Sequence, residues 1–267
     1  MINKQNLLNH AKFSRDFILD LIFPIECLGC GKEGVWLCKT CFRLLPQNLQ
    51  QYCLGCKKPQ TFGQFCSNCS PAFFLTGIFI ASNYDNPLIS SLIKNLKYHF
   101  AKDLSKILGE FLSLFLDNLI KKSRMNAGIL NLGVDHGRLE KIKTVPEIIL
   151  DFKSSLLIPV PLSKKRERWR GFNQTAAISK TVAEFFSLQI SNDLIRVVHK
   201  TPQAKLKERE RRENIHNCFK WCGESLAGRR VILIDDVVTT GSTLDECAKV
   251  LKQAGAQEVW GAVIAKG

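Results

Sequence analysis

Eight cysteines form four Cys-x-x-Cys pairs within 43 residues near the start of the chain. A Cys-x-x-Cys turn places two thiolates where both can reach one tetrahedral metal ion, and four thiolates complete the coordination. The segment is short and rich in glycine and proline, so it buries too little apolar surface to fold without such cross-links. The pattern therefore predicts a double zinc-ribbon module over residues 25–70 with two structural zinc ions. The predicted ligands are Cys27, Cys30, Cys38, Cys41, Cys53, Cys56, Cys66 and Cys69.

The spacing of the cysteine pairs leaves two matters open. Iron–sulfur ligation is the main alternative to zinc. Consecutive pairing would join the first two pairs at one ion and the last two at another, whereas an interleaved arrangement would join the first pair to the third.

The redox compartment and the membrane topology follow from the cysteines and the apolar runs. Residues 1–24 form an N-terminal extension with scattered polar residues and no small-residue cleavage site, so we predict no secretory signal. The longest apolar stretch, Phe111–Ile120, is interrupted by Asp117, so no membrane span is predicted. We expect a cytoplasmic protein in which the cysteines are metal ligands or buried thiols and not disulfides.

Beyond residue 70 the sequence alternates apolar runs typical of strands with segments of helical periodicity. The predicted strands are Phe73–Ala81, Ser155–Val160, Val231–Ile234 and Val259–Ala265. The predicted helices are Pro87–Lys97, Lys102–Lys121, a helix with Asn173 as its N-cap, and Thr243–Ala254. This alternation predicts an α/β domain over residues 71–267 with a mainly parallel, twisted sheet, in which residues 124–152 are an unassigned insertion.

The positive charge of the chain is concentrated in two segments. The formal net charge is +14, and Lys164–Arg170 together with Lys200–Arg212 supply +8 of it. Such clusters favour a polyanionic partner such as nucleic acid, a phosphorylated metabolite or anionic lipid. Two solvated, charged segments without a partner are the alternative.

The segment VILIDDVVTTGST, Val231–Thr243, carries the most specific chemistry. A strand followed by a small, hydroxyl-rich turn and a helix directs backbone N–H groups and the positive helix dipole to one place, which favours a phosphate. The carboxylates of Asp235 and Asp236 accept hydrogen bonds only, which suits a vicinal diol or the water around Mg²⁺. The alternative is a capped helix start with two exposed aspartates. The pattern predicts one turn that holds a phosphorylated sugar by its diol and its phosphate.

Four motifs in this order resemble those of the ComF family within the type I phosphoribosyltransferase superfamily. They are the LKY element at Leu96–Tyr98, the PVPL…RGFNQ signature at Pro159–Leu162 and Arg170–Gln174, the stretch containing Gln203, Arg209 and Arg212–Asn214, and the acidic turn at Asp235–Thr243. The four Cys-x-x-Cys pairs also fit that family. The resemblance runs from Cys27 to the C-terminus and implies the type I phosphoribosyltransferase fold.

The resemblance also implies a site for 5-phosphoribosyl-1-pyrophosphate (PRPP) with Mg²⁺. Lys200–Arg212 would correspond to the loop that closes over the site. Arg170 and Asn173 would orient this loop or the acceptor, although Arg170 could equally pack a helix. The implied catalytic residues are Asp235, Asp236, Lys205 and Arg209. The implied PRPP-binding residues are Val237, Val238, Thr239, Thr240, Gly241, Ser242, Thr243, Pro161, Leu162, Ser163, Lys164, Arg170, Asn173 and Arg212.

Two functions follow as expectations. The first is a phosphoribosyltransferase that acts in DNA uptake or natural transformation, with an acceptor that no sequence element identifies. The second is a non-catalytic protein of the competence machinery that binds single-stranded DNA, or a scaffold that docks a partner such as a DNA-uptake helicase. Pyrophosphate release from PRPP separates the first from the second.

Overall fold

The computed structural model describes residues 25–60, 62–98, 102–131, 152–197 and 217–267, with the backbone alone for residues 123–131. The chain divides into two compact units, Met1–Leu45 and Pro46–Gly267. Within the described part of the first unit a short helix, α1 (Lys39–Arg43), begins at Cys38, whose Sγ accepts the N–H of Cys41. The first four cysteines thus lie in a different unit from the last four.

The second unit contains the remaining elements in an α/β order. Its first half comprises β1 (Gln51–Tyr52), β2 (Pro59–Gln60), β3 (Gly77–Asn83), α2 (Pro87–Tyr98), α3 (Leu104–Asn131) and β4 (Leu156–Pro159). Its second half comprises α4 (Lys164–Arg170), α5 (Gln174–Phe186), β5 (Gln189–Ile190), β6 (Leu194–Arg196), β7 (Phe219–Trp221), β8 (Arg230–Val238), α6 (Ser242–Gln253) and β9 (Glu258–Lys266).

Five strands form the central sheet in the order β3-β9-β8-β4-β5, and every neighbouring pair is parallel. The inner strands β8 and β9 are almost continuously apolar, as expected where helices cover both faces of a parallel sheet. Trp260 of β9 stacks on Phe79 of β3 with ring centroids 4.8 Å apart. Because the strands are parallel, their carboxyl ends share one edge of the sheet, where ligands bind in open α/β folds. The predicted α/β class with a mainly parallel sheet is confirmed.

Several element bounds differ from the predicted ones for identifiable reasons. The strand predicted over Phe73–Ala81 begins only at Gly77, because the N–H groups of Phe74 and Leu75 donate to Asp245 Oδ1 of α6 and not to the sheet. Helix α3 continues to Asn131, so the first part of the predicted insertion at residues 124–152 is helical.

The strand predicted to end at Ile234 continues through Val238. It is extended by pairing with β9, whose Lys266 lies opposite Val238. Asp235 and Asp236 are therefore strand residues, and the turn proper begins at Thr239.

The second cysteine group belongs to the same unit as the sheet. The β1–β2 hairpin carries the Cys53–Cys56 turn, with Tyr52 opposite Pro59. The buried amide of Gln51 pairs with the backbone of Ile80, donating to its oxygen at 3.1 Å and accepting its N–H at 2.9 Å. The Gln51 side chain thus forms hydrogen bonds with backbone groups of β3 at the outer edge of the sheet. The domain limits 1–24, 25–70 and 71–267 stay a prediction. The contacts within the chain divide it between Leu45 and Pro46.

None of the helices in the described part of the chain combines the length and the apolar character that a membrane crossing requires.

Candidate functional site

The start of α6 differs from the starts of the helices near it. Gly241 occupies the N-cap position with φ 81°, and no side chain caps the helix. By contrast, Ser163 caps α4 and Asn173 caps α5 through their side-chain oxygens. The hydroxyls of Thr240 and Ser242 lie 2.7 Å apart beside the turn. The N–H of Ser242 contacts the Thr240 hydroxyl at 3.4 Å. The N–H groups of Thr243 and Leu244 in the first turn of α6 are therefore available to an external anion, with two hydroxyls next to them.

Asp235 and Asp236 occupy successive positions near the carboxyl end of β8. Successive side chains of an extended strand point to opposite faces of the sheet, so the two carboxylates are divided between its faces. Asp236 Oδ1 lies 2.7 Å from Lys97 Nζ of α2, and both side chains are largely shielded from solvent. The N–H of Asp236 donates to Asp235 Oδ1 at 2.8 Å, which ties the two residues together.

The two carboxylates affect each other's ionisation. Desolvation, followed by the charge of Asp236, raises the pKa of Asp235 to about 7, while the N–H of Asp236 and the charges of Lys97 and Arg170 act in the opposite direction. On the α6 side, burial raises the pKa of the Cys247 thiol, and the charge of Asp235 adds to this. Asp235 therefore changes its charge near neutral pH, whereas Asp236 is compensated by a lysine.

Arg170 connects two of the sequence motifs. Its side chain is buried, and its guanidinium lies 5.8 Å from the ring centre of Tyr98, within cation–π range. Its Nη1 donates to Gln174 Oε1 at 2.9 Å. Desolvation lowers the pKa of Arg170, and the charge of Asp236 opposes this. The LKY element, the RGFNQ signature and the acidic pair therefore converge at one edge of the sheet.

The segment after β4 forms the neighbouring wall of this edge. Pro161, Leu162 and Ser163 are half-buried, and Lys164 is exposed at the first position of α4. Asn173 caps α5 as predicted, because its Oδ1 accepts the N–H of Thr175 at 3.1 Å. A PRPP contact by Asn173 stays a prediction.

The remaining predicted site residues have four different placements. Val237 and Val238 lie in β8, Thr239 and Thr240 form the turn, and Ser242 and Thr243 open α6. Lys205, Arg209 and Arg212 lie outside the described residues, as does the whole basic segment Lys200–Arg212. Strands β6 and β7 pair antiparallel, and the N–H of Val197 donates to Cys218 O at 2.8 Å.

The eight cysteines form two groups of four. Within each group the Sγ atoms lie within 4.8 Å of one another. The groups follow consecutive pairing, so the interleaved alternative is wrong. The first group contains Cys27, Cys30, Cys38 and Cys41, and the second contains Cys53, Cys56, Cys66 and Cys69.

The ionisation of these thiols suits a metal ion. A side-chain hydrogen bond with Cys38, followed by burial, raises the pKa of Cys41 to about 12. A side-chain hydrogen bond with Cys66, followed by burial, raises the pKa of Cys69 to about 12. Backbone donors, with that of Cys69 foremost, lower the pKa of Cys66 to about 7. Cys66 is thus readily ionised to a thiolate, whereas Cys41 and Cys69, the last cysteine of each group, resist a further negative charge. A dication removes this repulsion, so each group fits a four-thiolate metal site.

The second cysteine group lies against the α6 turn. A Cβ added at Gly241 would lie 2.7 Å from Leu54 Cδ2, and Leu54 lies inside the Cys53–Cys56 turn. Next to it, the rings of Phe65 and Phe73 stack with centroids 4.0 Å apart. The Cys53–Cys56 turn therefore packs on Gly241, the residue at the start of the uncapped helix α6.

The chain is 31% identical to competence protein F of Haemophilus influenzae over 255 residues, which cover 90% of this chain and 96% of the relative. The chain belongs to the ComF family. It is also 29% identical over 250 residues to competence protein ComFC of Bacillus subtilis and to DNA utilization protein YhgH of Escherichia coli O157:H7. The alignments cover 89% and 97% of these two relatives.

A model of the phosphoribosyl transferase domain matches residues 186–267 of this ComF-family chain. That range contains β8, the acidic pair, the turn and α6. Among solved structures, a glutamine phosphoribosylpyrophosphate (PRPP) amidotransferase from B. subtilis, complexed with ADP and GMP, aligns with a TM-score of 0.29 and 18% sequence identity. That alignment covers 41% of this chain and 22% of the amidotransferase.

The sequence analysis missed three contributors to the site. Lys97 was noted only as part of the LKY element, yet it neutralises Asp236. Gln174 was noted only as the end of RGFNQ, yet it positions Arg170. Leu54 could not be identified from the sequence, because only its position between Cys53 and Cys56 distinguishes it. For Lys97 and Gln174 the family motif itself was the signal that could have identified them.

Proposed function

We propose that the chain binds PRPP at the carboxyl edge of the sheet and transfers its phosphoribosyl group to an acceptor. The observation that carries the proposal is the uncapped start of α6, placed directly after the acidic pair of β8. A phosphate group binds where backbone N–H groups have no partner, and the two hydroxyls of a pentose bind where carboxylates can accept their hydrogen bonds. In a pentose phosphate these two parts are separated by one sugar ring. Few ligands require both in one turn.

In this proposal the 5′-phosphate accepts hydrogen bonds from the first-turn N–H groups of α6. The Thr240 and Ser242 hydroxyls donate to the same phosphate. Gly241 allows the backbone to approach the phosphate without a side chain in between. The ribose lies beyond the carboxyl end of β8, where Asp235 and Asp236 accept hydrogen bonds from its hydroxyls. Asp235 performs this role best once it is ionised, at a pH above its pKa of about 7.

The proposed leaving group is pyrophosphate. As the bond from C1 of the ribose to the pyrophosphate oxygen breaks, negative charge grows on the pyrophosphate, and cationic groups that meet it lower the barrier. Lys164 and the Ser163 region are the described candidates, and Lys205, Arg209 and Arg212 are candidates from the basic segment. Arg170 acts through Gln174 and Tyr98 as a positioning residue.

Magnesium is part of the proposal because of the donor set. Carboxylate oxygens are the ligands that Mg²⁺ prefers, and Asp235 offers one beside the expected ribose position. Bound with PRPP, Mg²⁺ would supply charge stabilisation to the phosphate oxygens. The acceptor's nucleophilic atom bonds to C1 as the bond from C1 to the pyrophosphate oxygen breaks, and the proton of that atom passes to water.

Each cysteine group is proposed to bind one structural zinc ion. Four thiolates fill a tetrahedral shell and leave no position for a substrate, so the role of zinc is to hold the chain. In the second group this role extends to the Gly241 turn through Leu54.

A role in DNA uptake or DNA handling is proposed on family membership and charge. The relatives are named for competence and for DNA utilization. An exposed basic helix, α4, lies next to the acidic pair, which favours a polyanionic partner. Docking of a partner such as a DNA-uptake helicase stays a prediction. Single-stranded DNA binding without transfer is the second candidate function.

Pyrophosphate release tests the transferase proposal. The zinc-loaded chain is incubated with PRPP, Mg²⁺ and candidate acceptors that include single-stranded DNA, and pyrophosphate is followed over time. We expect acceptor-dependent release that Asp236→Asn abolishes and that Asp103→Asn, an exposed carboxylate of another loop, leaves unchanged. Release that is independent of Asp236, or absent with every acceptor class, contradicts transfer at this site.

A further inference from the structure

Two large aromatic rings are exposed beside the acidic edge of the sheet. Trp169 of α4 is 54% exposed and Tyr98 at the end of α2 is 53% exposed. Their ring centroids lie 5.9 Å apart at an interplanar angle of 63°, an edge-to-face pair. Large aromatic side chains are usually buried, so an exposed pair held in fixed geometry indicates a binding surface.

The position of this pair is fixed by the residues beneath it. Arg170 lies under Tyr98 and is only 8% exposed. Lys97, the residue before Tyr98, forms the ion pair with Asp236. The aromatic pair is therefore anchored to the same network that positions the acidic pair, and it lies on the solvent side of that network.

Positive charge surrounds the pair. Helix α4 reads KKRERWR, and every residue from Lys164 to Trp169 is exposed. Its four exposed cations outnumber its one acid, Glu167. An open depression of about 460 Å³ runs along this helix and is lined by Lys164, Glu167, Arg168 and Gly171. Exposed cations beside exposed aromatic faces are the combination by which proteins bind single strands, with phosphates on the cations and bases on the rings.

We propose that Trp169 and Tyr98 form a stacking platform for a base of single-stranded nucleic acid, whose phosphates contact the cations of α4. The inference rests on the proposed role in DNA handling and assigns its contact surface. The strand then passes the pentose site at the edge of the sheet. Duplex nucleic acid fits this platform poorly, because its bases are already stacked on each other.

The experiment compares oligonucleotides with and without bases. Binding of a fluorescent twelve-residue oligothymidine, and of an abasic oligomer of equal length, is measured by anisotropy on the full zinc-loaded chain without PRPP. We expect Trp169→Ala to weaken oligothymidine binding about tenfold and to leave abasic binding unchanged. Trp169→Phe keeps a ring, so it should lie between Trp169→Ala and the native chain.

Two control variants separate stacking from charge and from general damage. Phe185→Ala removes a ring of α5 that is 48% exposed, and it should change neither affinity. Lys164→Gln with Lys165→Gln should weaken both oligomers alike and reduce the salt dependence of binding. The proposal is overturned if Trp169→Ala binds oligothymidine as tightly as the native chain does. It is also overturned if Trp169→Ala loses affinity for oligothymidine and for the abasic oligomer by the same factor.

The outcome does not depend on the PRPP site. Because the anisotropy measurement contains no PRPP, a chain that binds no PRPP can still discriminate oligothymidine from the abasic oligomer. Conversely, a chain that binds PRPP but shows no such discrimination refutes the platform alone. A duplex that binds as tightly as the single strand would also contradict it.

Discussion

Lys97 Nζ lies 2.7 Å from Asp236 Oδ1. The pair joins the end of α2 to the end of β8, which are far apart in sequence. It compensates one of two adjacent carboxylates and leaves the other, Asp235, with a pKa of about 7. In a site that accepts hydrogen bonds from a diol, this division provides one carboxylate paired with a lysine and one whose charge responds to pH.

Replacing Lys97 with methionine should raise the pKa of Asp235 further, because the lysine charge currently lowers it. PRPP affinity measured by calorimetry is then expected to fall about tenfold at pH 7 and to recover partly at pH 8.5. Lys94→Met, an exposed lysine of the same helix, is the matched control and should bind as the native chain does. Identical pH profiles for the two variants would rule out this role for Lys97.

Asp235 makes stability depend on pH in a defined direction. Its folded pKa of about 7 exceeds the ordinary value of 3.8, so the folded state retains a proton that the unfolded state has lost between these values. The contribution of Asp235 to the free energy of unfolding is therefore present at low pH, falls as pH rises towards about 7, and is lost above it.

The variant Asp235→Asn should remove this dependence and be more stable than the native chain at pH 8, by about 1–3 kcal/mol. Urea unfolding between pH 5.5 and 8.5 measures it. Asp103→Asn provides the baseline for an exposed carboxylate. A parallel pH dependence in the native chain and in Asp235→Asn would show that Asp235 is not the responsible group.

Gly241 is expected to tolerate alanine less well than Gly228 does. Both have positive φ, 81° and 73°, so alanine at either position costs about 1–2 kcal/mol of backbone strain. At Gly228 an added Cβ meets nothing within 4 Å, whereas at Gly241 it lies 2.7 Å from Leu54 Cδ2.

The extra destabilisation of Gly241→Ala over Gly228→Ala, about 1 kcal/mol or more, should disappear when both glycine variants are made in a Leu54→Ala background. Unfolding free energies of the four variants and their parents give this difference. If it persists without the leucine side chain, the contact between Leu54 and Gly241 is not its origin.

Removing metal from the second cysteine group should loosen the α6 turn. In the proposed site a metal ion would hold the Cys53–Cys56 turn, and Leu54 of that turn packs on Gly241. After chelation, hydrogen exchange of the amides of residues 240–244 is expected to accelerate at least about tenfold, while amides of β4 at the far side of β8 keep their protection. Leu54→Ala should reproduce part of this effect with metal present, and Leu114→Ala, an exposed leucine of α3, should not. Unchanged exchange at the turn after metal loss would contradict the coupling.

The chemistry of the segment from Val231 to Thr243 could be predicted because it is local. A buried strand, a glycine turn and a helix each leave their own pattern, and Gly241 lies where the pattern places it. The end of β8 could not be predicted in the same way. Pairing with β9 extends it through Val238, and this pairing sets Asp235 and Asp236 on opposite faces.

The contacts between motifs could not be predicted from local patterns. Lys97 meets Asp236, and Tyr98 meets Arg170, only because the sheet order brings α2 and α4 to the same edge. The place of the second cysteine group has the same cause. Its spacing predicted the ligands, but the contact of Leu54 with Gly241 depends on tertiary packing that no spacing encodes.

The most direct test of the account is isothermal titration of PRPP into the purified, zinc-loaded chain in the presence of Mg²⁺ at pH 8. We predict a saturable heat with one site per chain, lost in the variant that carries both Asp235→Asn and Asp236→Asn, and retained in Asp103→Asn. No heat of binding with the native chain, or equal heat with the double variant, would contradict the assignment of the strand end and the uncapped helix as a pentose-phosphate site.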